Sequence, residues 1–171
     1  GDLTELSLAL AAEMLVAGGL ATTGEDSLAQ VNEALESGRG LQCFARMVEL
    51  LDGNPQVCTD TSLLPRAAES VVVTAESSGF VNEILTAEVG RAAVLLGAGR
   101  VAKNDLIDPA VGLNLNVRCG DQVQFGDEIG RLFVNDRSNC GRAESLLRSS
   151  VRIGDAPVDK KPLIYQYVRG S

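Results

Sequence analysis

Apolar positions recur at three- and four-residue steps through the first third of the chain, then give way to alternation and short β-branched runs. Leu3, Leu6, Leu10, Met14 and Ala17 fall on one stripe of a helix. Asp2, with Glu5 three residues on, has the form of a capping arrangement at its start, and Gly18-Gly19 supplies backbone that stops it. A second helix is expected from about Ser27, with Leu28, Val31 and Leu35 on one face and Gly38 at its end. A third is expected from about Leu41, carrying Leu41, Phe44, Val48 and Leu51 and ending at Asp52-Gly53. So few helices bury little by themselves, so their stripes need a cover.

Residues 54–68, with Pro55, Pro65 and several Thr, Ser and Asp, read as a linker. Beyond it, Val71–Thr74 and Gly79–Leu85 have strand character, and Thr86 can cap a short helix carrying Val89, Ala93 and Leu96. Gly97-Ala98-Gly99-Arg100 ends that helix in a flexible turn, followed by polar Lys103-Asn104-Asp105. Strand-like pieces are expected at Leu113–Val117 and Glu128–Val134, with two Gly-Asp turns around a short strand between them. Residues 141–149 look helical, and Pro162–Val168 is expected as an edge strand whose Tyr165 and Tyr167 cover a sheet. The pattern thus predicts an α+β chain: a helical segment over 1–53, a linker over 54–68 and a β-rich domain over 69–171.

Composition narrows the function. A net charge of −8 over 171 residues argues against nucleic acid and against an anionic membrane surface as partners. No apolar run approaches the roughly 20 residues that span a bilayer, and no basic segment followed by a hydrophobic stretch marks a signal peptide, so a cytoplasmic protein is expected. Cys43, Cys58, Cys119 and Cys140 are widely spaced and read as reduced, buried or half-buried thiols. The chain has no His, which removes imidazole general bases, Ser-His and Cys-His pairs and imidazole-bound zinc. No cofactor and no metal site is expected.

Two constellations remain. The run Val117-x-x-Gly120-Asp121-x-Val123-x-x-Gly126-Asp127-x-Ile129, with Ala75-x-x-x-Gly79-x-Val81-x-x-Ile84 before it, resembles the barrel-sandwich pattern of biotinyl and lipoyl carrier domains. A carrier needs a modified Lys on an exposed hairpin, and Lys103, in an Ala-Lys-Asn setting, is the one central candidate. Asp121 and Asp127 read as turn-formers rather than metal ligands. The glycine-rich Leu96-Gly97-Ala98-Gly99-Arg100 invites reading as a phosphate loop, but its glycines end a helix, where the dipole has the wrong sign, and no G-K-[ST] follows. A helix cap followed by a mobile surface loop fits better. Arg100, Lys103 and Asp105 are its charged residues, with solvated surface as the simplest role for each. Arg46 is expected in a surface ion pair.

Taken in order, these pieces resemble the thymidine and pyrimidine-nucleoside phosphorylases. The carrying runs are Asp2-Leu3-Thr4-Glu5-Leu6 with Met14, Ala34-Leu35-Glu36-Ser37-Gly38, Phe44-Ala45-Arg46-Met47, Leu64-Pro65, Gly79-Phe80-Val81, Leu96-Gly97-Ala98-Gly99-Arg100, Asp105-Leu106-Ile107-Asp108, Val111-Gly112-Leu113 and Gly120-Asp121-Gln122-Val123. The resemblance implies the C-terminal portion of an enzyme that splits pyrimidine nucleosides with phosphate, in a cleft between a helical lobe and an α/β lobe. It implies that residues 69–171 form an α/β-hammerhead, and that the helices before them pack on the rest of the parent chain. Family members are homodimers through a lobe absent here, and their phosphate loop, pyrimidine ligands and active-site His precede the segment that matches. No catalytic residue carries over, so the chain alone is expected to be inactive. Gly97, Gly99, Arg100 and Lys103 are the candidate site residues, in a loop over Gly97–Gly112 that helps seal the cleft. A free-standing carrier or interaction module is the alternative.

Overall fold

The computed structural model describes residues 1–159 and 162–168, and the chain divides into two compact units. One holds Gly1–Leu63 together with the residues from Pro162 on; the other spans Leu64 to Lys161. Lys160, Lys161 and residues 169–171, within the expected 69–171 domain, lie outside the described residues.

The first unit is built on three helices, α1 (Asp2–Ala17), α2 (Gly24–Glu36) and α3 (Arg39–Leu50), followed by 3-10 turns at Pro55–Cys58 and Thr61–Leu63. Asp2 lies inside the first turn of α1, with Gly1 at the cap position, so the expected capping role does not form there. Acidic Asp2 and Glu5 still sit at the positive end of the helix dipole. α2 begins three residues before Ser27 because Thr23 caps it: the Thr23 hydroxyl accepts from the Asp26 N–H at 3.1 Å. Arg46 pairs with Glu49 one turn on. The apolar stripes stay largely uncovered. Leu3 is 80% exposed and Met14 72%, and Leu10, Leu35, Phe44, Met47 and Leu51 are exposed as well. Among the described residues, Ala12, Ala21 and Ser27 are the buried positions of this unit. Pro162–Val168 forms no strand and belongs to this unit, where Leu163, Ile164 and Tyr167 share a groove with Leu6, Ala9 and Leu10 of α1. Tyr165 and Tyr167 are exposed rather than laid on a sheet.

The second unit carries β1 (Glu69–Thr74), β2 (Gly79–Ile84), α4 (Thr86–Leu95), β3 (Gly112–Leu115), β4 (Gln122–Val123), β5 (Glu128–Val134), α5 (Cys140–Ser150) and β6 (Val151–Gly154). Leu85, not Thr86, occupies the cap position of α4. Two antiparallel three-stranded sheets form, ordered β1-β5-β3 and β4-β2-β6. Their register is set by the two Gly-Asp turns. In Arg118–Asp121 the Asp121 N–H donates to the Arg118 carbonyl at 3.0 Å, and the Asp121 carboxylate accepts the Arg118 N–H at 2.9 Å. Gln124–Asp127 repeats both bonds, at 3.0 and 2.8 Å. Gly120 and Gly126 each hold φ at +89°, the left-handed third position that such turns reserve for glycine.

Each turn then clasps one residue of the facing chain. Gly120 N–H donates to Val81 and Val81 N–H to Asp121, both at 2.8 Å; Gly126 N–H donates to Ala75 and Ala75 N–H to Asp127, both at 2.9 Å. The same clasp is used twice, in opposite order along the two segments. It also points Val117, Val123 and Ile129, spaced six apart, into the core. There they join Val73, Val81, Leu132 and, from α5, Ala143 and Leu147.

Because Leu132 is wholly buried, Leu132→Ala should cost the β unit about 2–5 kcal/mol. Leu3→Ala should change the stability of this chain by less than about 0.5 kcal/mol. Urea denaturation of both variants checks this, and equal losses would contradict it.

Candidate functional site

The segment between α4 and β3 holds every residue that the sequence singled out as a site. α4 ends in a paired C-terminal cap: Gly97 N–H donates to Val94 at 3.0 Å and Ala98 N–H to Ala93 at 3.1 Å. Gly97 takes φ +100°, which a residue with a Cβ adopts only under strain. The helix therefore turns its carbonyl end toward the loop, an unfavourable place for phosphate. At Gly99 the constraint is packing: a Cβ there would stand 2.8 Å from Cγ2 of Val94, so that side chain would have to shift.

Beyond the cap the loop closes on itself. The Asp105 carboxylate accepts from the N–H groups of Val101 and Ala102, at 3.0 and 2.8 Å, and Asp105 N–H donates to the Ala102 carbonyl at 3.1 Å. Asp105 thus shapes the tip rather than offering a free charge. Arg100 and Lys103 lie at that tip and are exposed. Val101 and Leu106 are exposed there as well, at 83% and 94%. The four sequence candidates are therefore split: Gly97 and Gly99 are half-buried at the base, Arg100 and Lys103 stand at the tip.

Sequence reasoning missed the groups that anchor the base. Asp108 N–H donates to the Gly97 carbonyl at 3.0 Å. The Asp108 carboxylate accepts the Ala110 N–H at 2.9 Å and the Asn135 side-chain amide at 2.7 Å. Those two bonds, the Ala110 N–H foremost, hold the Asp108 carboxyl below the ordinary aspartate value. Asp108-Pro109 is a legible turn signal in the sequence, but nothing local announces Asn135, 27 residues away.

Elsewhere in the β unit, a cleft of about 430 Å³ at the β1–β2 turn is lined by Ser77, Ser145, Ser149 and Arg148. Its guanidinium is already engaged by Glu144 at 2.6 Å, Glu76 at 3.4 Å and the Thr74 carbonyl at 3.2 Å. Asp121 and Asp127 close turns, and among the described residues no cluster of Cys, Asp or Glu could hold a metal ion. The four cysteines are free thiols; Cys43, expected to be at least half-buried, is exposed on α3. Among the described residues no helix is long and apolar enough to cross a membrane.

Comparison with known proteins gives this geometry its context. Residues 80–154 match the family described as pyrimidine nucleoside phosphorylase C-terminal domain. The chain is 37% identical over 152 residues to the pyrimidine-nucleoside phosphorylase of Bacillus subtilis (strain 168), covering 89% of this chain and 35% of that protein. It is 38% identical over 152 residues to the protein of the same name from Staphylococcus haemolyticus, and 36% over 154 residues to that of Staphylococcus aureus (strain bovine RF122 / ET3-1). The chain thus spans about a third of the length of these relatives.

A carboxyl whose folded value is depressed stabilises the loop base above its unfolded value and stops doing so as pH falls through the folded one. For Asp108 that window lies below the ordinary 3.8. A carbon-detected NMR titration should place its midpoint under 3.8, and a midpoint at or above that value would contradict the bonding described.

Proposed function

Because the chain belongs to the pyrimidine-nucleoside phosphorylase family, as a C-terminal portion of it, we propose that it serves phosphorolysis of pyrimidine nucleosides by completing the lobe of a longer enzyme. In that reaction a phosphate oxygen forms a bond to the sugar C1′ while the bond to the base breaks, giving free base and (deoxy)ribose 1-phosphate. Catalysis of this kind rests on positioning and charge. The observation that carries the reading is the likeness of nearly the whole chain to a third of each relative. The uncovered stripes of α1–α3 support it, since apolar faces of that extent call for a partner surface. On this reading the partner is the remainder of the parent polypeptide, which holds the phosphate and nucleoside sites and the dimer lobe. The β unit is then the α/β-hammerhead, and the protein works in the cytoplasm.

By itself the 171-residue chain is catalytically incompetent on this proposal. Thymidine plus phosphate should release no thymine above the buffer rate, followed by absorbance; sustained release would overturn the reading. The Gly97–Gly112 loop acts as part of the cleft's lid, with Gly97 and Gly99 as its hinge side and Arg100 and Lys103 on its face. Its glycine-bearing base and exposed apolar tip are features of segments that close over ligands. Shortening it within a full-length phosphorylase should raise KM or slow turnover, and unchanged kinetics would reject a lid.

The alternative of a carrier or interaction module draws support from the paired Gly-Asp turns and from Lys103 at an exposed tip. An intact-mass spectrum with a biotinyl or lipoyl adduct on Lys103 would favour it over the enzyme portion.

A further inference from the structure

One side chain ties three separated pieces of the β unit together. β1 and β5 pair antiparallel from Glu69↔Val134, so the next rung would set Ala68 opposite Asn135. In place of a backbone rung, the Asn135 carbonyl oxygen accepts the Ala68 N–H at 2.8 Å, and its amide nitrogen reaches the Asp108 carboxylate at 2.7 Å. Asp108 in turn holds Ala110 through its carboxylate and Gly97 through its own N–H. Only one orientation of the Asn135 amide serves both partners, since the flipped group would set donor against donor and oxygen against carboxylate. The chain enters this unit through Leu64–Ala68, and Gly97 and Ala110 bracket the loop.

We propose that Asn135 is a positioning residue that couples the lead-in segment Leu64–Ala68 to the Gly97–Gly112 loop, so that loosening either end loosens the other. The coupling stands apart from the phosphorolysis reading, because it follows from hydrogen bonds within one unit. Each bond is exposed and modest alone, but both pass through one side chain, so the two segments open in a correlated way. β1 keeps an independent anchor in the Glu69–Arg137 pair, so release of Ala68 need not unravel the strand.

Trypsin reads both ends at once, since Arg66 is exposed in the lead-in and Arg100 and Lys103 in the loop. Cleavage under fast reclosing reports the population of the open form. In the whole 171-residue chain, Asp108→Ala leaves Ala68 and Asn135 untouched. It should nevertheless speed cleavage after Arg66, as well as after Arg100 and Lys103, by about fivefold. Cleavage after Arg131 and Arg152, inside β5 and β6, should not change. The exchanged pair Asp108→Asn with Asn135→Asp can keep every bond, with donor and acceptor swapped only between the side chains at 108 and 135, and should restore the original rates at both ends. Acceleration confined to Arg100 and Lys103, or failure of the exchanged pair to restore them, would overturn the coupling. Should Asp108→Ala also expose Arg131 or Arg152, the exchanged pair decides, because it keeps the network whole.

Discussion

Asp121 and Asp127 each close a turn by accepting the N–H three residues back, and each turn then exchanges two backbone hydrogen bonds with a single facing residue, Val81 or Ala75. That doubled clasp sets the rest of the β unit. It fixes the register of β4 against β2 and brings β5 in against β1. It also spaces Val117, Val123 and Ile129 so that all three point into one core. A one-residue slip would turn those side chains to solvent and break the backbone bonds that tie the turns to Val81 and Ala75. α4 and α5 pack onto a frame whose geometry the two turns have already determined, and the loop after α4 is held to it through Asp108 and Asn135.

The helical unit follows the opposite logic. Its helices are locally well specified, by the Thr23 cap and by glycine at their ends, yet their apolar stripes remain largely exposed. Local specification without burial leaves helices marginal, because most helical stability in proteins comes from packing an apolar face. The proposed role as one part of a longer phosphorylase accounts for both units. The β unit supplies its own core, while the helices carry the surface on which the rest of the polypeptide would seat.

Elements with their own periodicity or turn chemistry were legible from sequence. The stripe from Leu3 to Met14, the β-branched run at Val71–Thr74 and the Gly120-Asp121 and Gly126-Asp127 turns declare themselves because their signals are local. Boundaries shifted where a neighbouring residue did the capping, as Thr23 does for α2. Pro162–Val168 misled because alternating apolar residues look strand-like wherever they occur, while pairing depends on a neighbour that local pattern cannot supply. In the loop, glycine spacing exposed Gly97 and Gly99. Asn135 stayed invisible because its role is defined only by distant Ala68 and Asp108.

The contrast between the two units can be read amide by amide. Native-state hydrogen exchange on this chain should show β5 opening only with the whole β unit. Amides of α1, α2 and α3 should exchange faster by at least about a hundredfold, through local opening of helices that lack a cover. Protection of those helices equal to that of β5 would mean that they complete themselves, and would contradict the account.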